Sequence, residues 1–360
     1  MRFSSTDQAA QLPPNYPFVA ADAGSHTFQV TFGTPGTESL SATDVASSST
    51  VGSQSVTVVP GKVFYIVNLA NSVTVQAATT TGNVAPIATL SGSNTGLGPA
   101  QVNSPYGVAR DTAGRLYATV DGSNNSIVVF AAGATGNASP VDTIAGSNTA
   151  LNYPRGIALD AAGRLYVANS NFSGQGCTPA ACGSVTVYAA GAHGNAAPVD
   201  TIVGTNTGLD GPVGIVLFSG QLYVANNVSN AITVYASTAT GNATPTATLA
   251  GSNTGLAGPQ GIAFDAAGRL YVTNASSNSV TVYAAGATGN ASPVATITGS
   301  NTGLSGPLGI ALDAAGRVYV ANESVNSVTV YAAGATGNAS PVATIAGSST
   351  GLNQPTFITF

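Results

Sequence analysis

The chain has 360 residues, of which only 6% are charged: eight Lys or Arg and 13 Asp or Glu, for a net charge of −5. Lys62 is the single lysine, so the sequence provides no basic face to neutralise phosphates, and we expect no nucleic-acid partner. No apolar run approaches the roughly 20 residues needed to cross a bilayer, so we expect no membrane insertion by this segment.

Residues 1–59 are the first of two predicted domains. Their segments YPFVAAD, GSHTFQVTF, GTESLSATD and GSQSVTVV alternate with short Gly, Ser and Asp turns, which predicts an all-β sandwich. The run from Leu12 to Asp44 resembles the second half of an immunoglobulin-like module of bacterial surface proteins. The first strands of such a module are missing, so we expect a short, partial β-sandwich and a natural chain that starts further upstream.

Residues 60–360 are the second predicted domain and are built from a repeat. The glycine of a recurring P-x-G-I-A segment marks five copies: Gly107, Gly156, Gly214, Gly261 and Gly309. In the last copy, turn signals separate four segments rich in Val, Ile, Tyr and Thr, namely GIALD, RVYVAN, SVTVYAAG and PVATIAG. Four strands in roughly 40 to 50 residues is the period of a propeller blade, which buries its faces only against neighbouring blades.

The residues P-x-G-I-A-x-D-x-x-G-R-L-Y-V-A-N, followed by N-S-V-T-V-Y, resemble the NHL-type repeat from Pro60 to Phe360. The resemblance implies an all-β, six-bladed β-propeller with four antiparallel strands per blade. The basic residue that NHL repeats often carry before the third strand is absent. The first copy lacks a clear first strand, and the C-terminal PTFITF is a first strand with no copy after it. We therefore predict that PTFITF closes the ring, with Ser55–Val59 as the alternative closing strand.

Aromatic residues recur at two fixed strand positions. The first is occupied by Tyr117, Tyr166, Tyr223, Tyr271 and Tyr319, and the second by Phe130, Tyr188, Tyr235, Tyr283 and Tyr331. One aromatic per copy at a fixed position is what a radial core requires. We interpret both sets as packing between blades.

Charged pairs recur across the first hairpin turn of four copies. Asp and Arg stand four residues apart there: Asp111 and Arg115, Asp160 and Arg164, Asp265 and Arg269, Asp313 and Arg317. The copy that reads VLFSGQLYV lacks both charges together, which a ring of catalytic carboxylates would not do. We predict structural turn pairs, each worth roughly 0 to 1 kcal/mol.

The two cysteines, Cys177 and Cys182, stand in SGQGCTPAACG, an insertion that lengthens one copy. They are close enough in sequence to close a small loop, and such a bond persists in an oxidising compartment. A disulfide is the favoured interpretation, with a reduced pair or half of a metal site as alternatives. A disulfide and the bacterial surface resemblance together predict an extracellular or cell-surface protein.

One candidate binding rim is predicted where the second strands end. Strand-end asparagines recur there at Asn68, Asn169, Asn226, Asn274 and Asn322, and Asp121, Asn227 and Glu323 break the repeat beside them. Such oxygens could hold a hard divalent cation such as calcium. The alternative is that each asparagine caps a turn through its amide, in which case it recurs with the repeat without binding anything. No cofactor is otherwise predicted.

No catalytic residue is predicted. GSSTG at Gly347–Gly351 fits G-x-S-x-G, but the equivalent strings in other copies read GSNTG, and only two histidines are present. Because the rim is rich in amides and poor in charge, we expect a non-enzymatic binding, adhesion or scaffold module for a neutral glycan or a protein at the cell surface. We also expect a monomer within a longer multidomain chain. The alternative is a metal-dependent propeller enzyme, similar to gluconolactonase or to streptogramin lyase, that uses Asn, Asp and Glu side chains at the channel mouth as a cation site.

Overall fold

The computed structural model describes residues 1–8, 10–32, 36–47, 49–58, 62–98, 103–123, 125–170 and 183–360, with the backbone alone at 36, 37, 57, 58 and 103. The chain divides into two compact units, Met1–Val63 and Phe64–Phe360. Two single turns of 3-10 helix occur in these ranges, at Ala20–Asp22 and Glu323–Val325. Neither is long enough to cross a membrane.

Unit 1 contains one antiparallel sheet among its described residues, formed by β1 (Arg2–Ser5), β2 (Gly36–Thr43) and β3 (Val51–Val58) in that order. The segment YPFVAAD, which was expected to be a strand, instead contains the 3-10 turn, because the Asp22 carboxylate accepts a 2.7 Å hydrogen bond from the Val19 N–H. The segment GSHTFQVTF contributes only an isolated bridge, between Gln11 and Thr31. The immunoglobulin-like resemblance stays a prediction.

The rest of the described chain forms six antiparallel sheets of four strands, which we number 1 to 6. Sheet 1 contains β27 (Pro355–Thr359), β4 (Val63–Asn68), β5 (Ser72–Ala77) and β6 (Ala88–Ser91). Sheet 2 contains β7 (Asn103–Arg110), β8 (Leu116–Gly122), β9 (Ser126–Phe130) and β10 (Asp142–Ala145). Sheet 3 contains β11 (Pro154–Leu159), β12 (Leu165–Asn169), β13 (Ser184–Tyr188) and β14 (Asp200–Ile202).

The last three sheets repeat this order. Sheet 4 contains β15 (Pro212–Phe218), β16 (Gln221–Asn226), β17 (Ala231–Ala236) and β18 (Ala247–Leu249). Sheet 5 contains β19 (Pro259–Phe264), β20 (Leu270–Asn274), β21 (Ser279–Tyr283) and β22 (Ala295–Ile297). Sheet 6 contains β23 (Pro307–Leu312), β24 (Val318–Asn322), β25 (Ser327–Tyr331) and β26 (Ala343–Ala346).

The first strands of the six sheets contact one another in a closed ring. β7, β11, β15, β19 and β23 contact in succession, and β27 contacts both β23 and β7. β27 also pairs antiparallel with β4, with Pro355 opposite Asn68 and Ile358 opposite Ile66. The C-terminal strand therefore completes the first sheet, in the place that the sequence assigned to PTFITF, and leaves no open edge at the junction.

The sheets are buried on both faces. In β25, Val328 and Val330 lie in the core between sheets 6 and 1, packed with Phe64 and Ile66. Thr329 points to the other face, yet it is also buried, and its hydroxyl accepts a 3.1 Å hydrogen bond from an asparagine amide. Alternate side chains of the strand therefore face the two neighbouring sheets, one on each side. The Thr face is buried like the Val face and does not meet water.

A recurring pair of hydrogen bonds joins the outer edges of neighbouring sheets. Between sheets 5 and 6, Gly337 donates to the Thr296 carbonyl at 2.6 Å, and Asn338 Oδ1 accepts from the Asn301 N–H at 2.7 Å. Gly299 lies against this amide with φ +125°, and a Cβ there would be 2.4 Å from Asn338 Oδ1. Equivalent bridges to Gly82, Gly136, Gly194, Gly241 and Gly289 complete the circle. The Gly-Asn loops that recur in the sequence thus hold the ring together.

Candidate functional site

The first strands all contain Pro-x-Gly or its counterpart in sheet 1, and this segment brings neighbouring strands close together. In sheet 3 a Cβ on Gly156 would be 2.2 Å from the Val213 carbonyl oxygen of sheet 4, so only glycine fits there. The register shifts at the same place, between Pro154 and Ile157. The residue between Pro and Gly differs in every sheet: Tyr106, Arg155, Val213, Gln260, Leu308 and, in sheet 1, Thr356. The six copies therefore differ in chemistry at this end of the ring.

An ion pair lies at this end, between sheets 2 and 3. Arg155 Nη2 is 3.0 Å from Asp121 Oδ2, and the two side chains are only 19% and 12% exposed. The Arg155 guanidinium lies 3.9 Å from the centroid of the Tyr106 ring, and Tyr106 is itself buried. The three side chains form a desolvated charged stack in a chain that has few charges.

Burial is the largest cause of the pKa shifts of Tyr106 and Asp121 in this stack. It raises the pKa of the Tyr106 hydroxyl, an effect that the negative charges of Asp121 and Glu323 reinforce and that Arg155 opposes. Burial also raises the pKa of Asp121, while Arg155 and the Ser104 N–H limit the rise.

Two more groups at this end have hydrogen-bonding capacity. Gln260 Oε1 is buried without a hydrogen-bond partner among the described residues. Glu323 begins the 3-10 turn of sheet 6, and among the described residues its carboxylate accepts two long contacts, from Gln354 Nε2 at 3.4 Å and Ser324 Oγ at 3.5 Å. Tyr106, Asp121 and Arg155 contact one another, and Gln260 and Glu323 belong to this end of the ring by their positions in the repeat. We call these five residues the mouth cluster. It combines a cation, two carboxyl groups and an unpaired acceptor.

The strand-end asparagines are engaged with the backbone. In sheet 3, Asn169 is fully buried, its amide donates to Thr186 Oγ1 at 3.1 Å, and its Oδ1 accepts from the Asn152 N–H at 3.0 Å. The same bonds recur at Asn68, Asn226, Asn274 and Asn322. This is the geometry of the turn-capping alternative. Because each Oδ1 already accepts a hydrogen bond from a backbone N–H, these asparagines do not belong to the candidate site.

The other predicted site residues fall into separate places. Asn227 follows the second strand of sheet 4, and its Nδ2 lies 3.3 Å from where a Cβ would stand at Gly258 of sheet 5. Cys177 and Cys182 lie outside the described residues. Within the described ranges, no three His, Cys, Asp or Glu side chains come close enough together to hold a metal ion. A calcium ion at this rim would meet Asp121 already paired with Arg155, so the residues present do not fit one.

The turn pairs lie at the opposite end of the first strands. Asp313 Oδ2 accepts from Arg317 Nε at 2.7 Å, its Oδ1 accepts from the Arg317 backbone N–H at 2.9 Å, and the Tyr319 hydroxyl approaches Oδ2 at 3.4 Å. Asp111 with Arg115, Asp160 with Arg164 and Asp265 with Arg269 repeat this arrangement. Each pair holds a hairpin turn, and none reaches the mouth cluster.

Acidification is expected to weaken these turns. Burial disfavours the charged form of Asp265, but hydrogen bonds from the Arg269 backbone and side chain outweigh it and lower the pKa. A lowered folded pKa gives stability above the unfolded value of about 3.9, and this stability is lost as the pH falls through the folded pKa. Because the arginines are partly exposed, each turn should lose only a few tenths of a kcal/mol.

The measurement is the midpoint of thermal unfolding from pH 6 to pH 2.5. The control is Asp265→Asn with Arg269→Gln, which imitates the uncharged turn of sheet 4, where Gln221 takes the place of the arginine. The control should show a shallower dependence on pH than the native chain. Parallel curves would contradict the assignment.

Three residues of the mouth cluster were missed in the sequence: Tyr106, Arg155 and Gln260. They occupy the variable position of an otherwise regular Pro-x-Gly motif. The usable signal was the chemical change at this position, from apolar Val213 and Leu308 to Arg and Gln. Asp121 and Glu323 were found because they break the repeat directly after the strand-end asparagine position.

Comparisons with known proteins agree on the fold. A family profile described as "Lactonase, 7-bladed beta-propeller" matches residues 184–351, slightly under half of the chain. A chain of a nidogen–laminin complex aligns with a TM-score of 0.56 and 17% identity, over 82% of this chain and 97% of that one. A protein of unknown function from Bacteroides caccae aligns with a TM-score of 0.57 and 10% identity, over 82% and 97%.

A third structure has a description that names an activity. It is a candidate 6-phosphogluconolactonase from Bacteroides fragilis, with a TM-score of 0.52 and 14% identity, over 83% of this chain and 97% of that one. No curated protein sequence matches the chain. At such low identities the likeness concerns the fold alone, and the repeated four-stranded antiparallel sheets define a β-propeller.

Proposed function

We propose that this chain is an exported or cell-surface binding module, an NHL-like propeller that takes its ligand at the mouth cluster. The six four-stranded sheets are its six blades, and the N-terminal unit is an accessory β domain. Against this count stands the seven-bladed description of the matching family profile. The closed ring of six first strands supports six.

The observation that carries the proposal is the buried pair of Arg155 and Asp121. A buried ion pair often stabilises a fold less than apolar residues of similar size would. Val213 and Leu308 occupy the position of Arg155 in other blades, so the fold accepts an apolar residue there. A chain that is only 6% charged nevertheless buries two of its charges as a pair at this mouth. Binding accounts for their presence better than stability does.

The chemistry of the mouth favours a neutral polar ligand. Arg155 retains N–H donors beyond the one that contacts Asp121, while Gln260 Oε1 and the Glu323 carboxylate accept hydrogen bonds. Vicinal hydroxyl groups of a glycan, which donate and accept at once, match this combination. The two carboxyl groups outnumber the single guanidinium, which disfavours anionic ligands.

A double replacement tests the site with little risk to the fold. Arg155→Val with Asp121→Ser introduces the residues that stand at equivalent positions in blades 4 and 3, Val213 and Ser170. Removing both partners leaves no uncompensated charge, so the free energy of unfolding should stay within about 1 kcal/mol of the native value. Binding to an array of neutral oligosaccharides should fall by about tenfold or more.

The control is Arg317→Gln, which removes an arginine from a turn at the other end of the ring and should leave binding unchanged. Array signals that survive the double replacement would place the ligand elsewhere. An array without signals from the native chain would reject a glycan as the ligand.

The second candidate function is lactone hydrolysis, favoured by the matching lactonase profile and the Bacteroides fragilis structure. In this case Arg155 would donate to the lactone carbonyl, and the reaction would proceed without a metal at the asparagine rim. Hydrolysis of gluconolactone by the native chain, insensitive to chelator and lost in the double replacement, would favour this candidate over the binding module. Hydrolysis that both chains share at the uncatalysed rate would reject it.

A further inference from the structure

Arg110 ends the first strand of blade 2, where every other blade has an apolar residue. The equivalent residues are Leu159, Leu217, Phe264, Leu312 and, in blade 1, Phe360. The pairing confirms this equivalence, since Arg110 lies opposite Leu116 just as Leu159 lies opposite Leu165. A guanidinium therefore occupies a position that the fold fills with aliphatic or aromatic side chains.

The surroundings of Arg110 leave part of its hydrogen-bonding capacity unused. Its guanidinium carbon is 4.8 Å from the centroid of the Tyr65 ring. Its Nη2 lies 3.3 Å from where a Cβ would stand at Gly114, in the turn of its own hairpin. Its Nε is buried without a hydrogen-bond partner among the described residues, and it takes part in no ion pair within them. A desolvated, unpaired donor is costly, so the stability of the fold does not explain an arginine at this position.

Arg110 lines a cleft of about 450 Å³ between the first turns of blades 2 and 3. Small residues form much of its wall, among them Ala113, Ala161 and Ala162. Ligand pockets commonly have volumes of roughly 300 to 1,000 Å³. The cleft thus has room for a small organic molecule beside the guanidinium.

The other charges in and beside the cleft form ion pairs. Asp111 is bound to Arg115 at 2.7 Å, and Asp160 is bound to Arg164 at 2.7 Å. Arg110 is then the uncompensated charge, a single positive one. The two carboxylates still repel a dianion such as phosphate more than a monoanion.

We propose that this cleft is a second binding site, in which Arg110 takes the carboxylate of a small organic acid. The planar guanidinium fork matches a carboxylate in two parallel hydrogen bonds, and its two Nη groups carry four of the five N–H donors. The site lies at the end of β7 remote from Tyr106 and the mouth cluster. It stands independently of the proposed function.

The test uses ¹⁹F NMR line broadening of 4-fluorobenzoate on the full chain. We expect the native chain to broaden the signal, acetate to compete, and the neutral isostere 4-fluorobenzamide to bind about tenfold more weakly. Arg110→Leu, which copies blades 3, 4 and 6, should abolish the broadening while the circular dichroism spectrum stays native. Equal broadening by the native chain and Arg110→Leu would overturn the proposal, as would equal binding of benzoate and benzamide.

Two further variants make the result specific. Arg110→Lys keeps the charge and loses the fork, so its affinity should fall about fivefold or more; an unchanged affinity would refute bidentate recognition, even if Arg110→Leu failed to fold. Arg2→Gln, the charge-matched control in unit 1, should bind like the native chain. Displacement of the probe by inorganic phosphate at lower concentration than acetate would overturn the carboxylate assignment.

Discussion

Deletion of Pro355–Phe360 is expected to lower the free energy of unfolding of the propeller by about 5 kcal/mol or more, enough to unfold a protein of ordinary stability. Ile358 is buried in the core between blades 6 and 1, so the deletion removes core volume. Thr356 donates a 2.7 Å hydrogen bond to the Tyr106 carbonyl, which joins the same strand to blade 2. Without β27, β4 becomes an open edge and the ring loses its closure.

The measurement is urea unfolding followed by circular dichroism. Deletion of Met1–Thr6 is an equally long control that removes β1 from unit 1, and it should leave the propeller transition in place. A C-terminally truncated chain that unfolds at the urea concentration of the intact one would refute closure by β27.

Replacement of Tyr319 by Ala is expected to cost about 3 to 5 kcal/mol, the range for truncation of a buried aromatic side chain. The side chain is fully buried, and its ring centroid is 5.1 Å from that of Phe64 and 5.0 Å from that of Phe360. Its hydroxyl donates to the Ala78 carbonyl of blade 1 at 3.0 Å. One residue therefore supports the junction between the last blade and the first through packing and a hydrogen bond.

Tyr223→Ala is the matched control, at the same repeat position in blade 4. Tyr223 is partly exposed, and its hydroxyl donates to Gln221 Oε1 within its own blade at 3.1 Å. Its replacement should cost clearly less in the same urea titration. Equal losses in the free energy of unfolding would show that Tyr319 stabilises the junction of blades 6 and 1 no more than Tyr223 stabilises its own blade. Combining Tyr319→Ala with the C-terminal deletion should cost less than the sum, because both remove the contact with Phe360.

The mouth cluster and the Arg110 cleft share one property: each departs from the repeat in charge. Asp121 and Glu323 were recognisable in the sequence because they follow a regular strand end. Arg155, Gln260 and Arg110 also depart from the repeat, but the sequence does not show which neighbours they meet or that Gln260 Oε1 and Arg110 Nε lack partners among the described residues. A charged or polar residue that departs from the repeat can be assigned to a binding site only when its neighbours in the fold are known.

The strand-end asparagines show the opposite case. Their recurrence suggested a set of ligands around a channel, and the same recurrence also fitted turn capping. The choice depends on a backbone N–H far along the chain, such as that of Asn152 for Asn169, and on a threonine of the next strand. Local sequence cannot specify where such partners lie, so only the folded chain shows which groups these amides bind.

Within the repeats, the sequence by itself predicted the strands, their order within each copy and the C-terminal strand that completes the first sheet. These features depend on alternation, turn chemistry and repetition, which act over a few residues. The tertiary structure alone decided which polar groups remain available after packing. The amides of Asn169 and its counterparts form hydrogen bonds within the fold, whereas Gln260 Oε1 and Arg110 Nε lack partners among the described residues. Desolvation and hydrogen-bond pairing depend on every neighbour in space, and only the closed ring of blades supplies those neighbours.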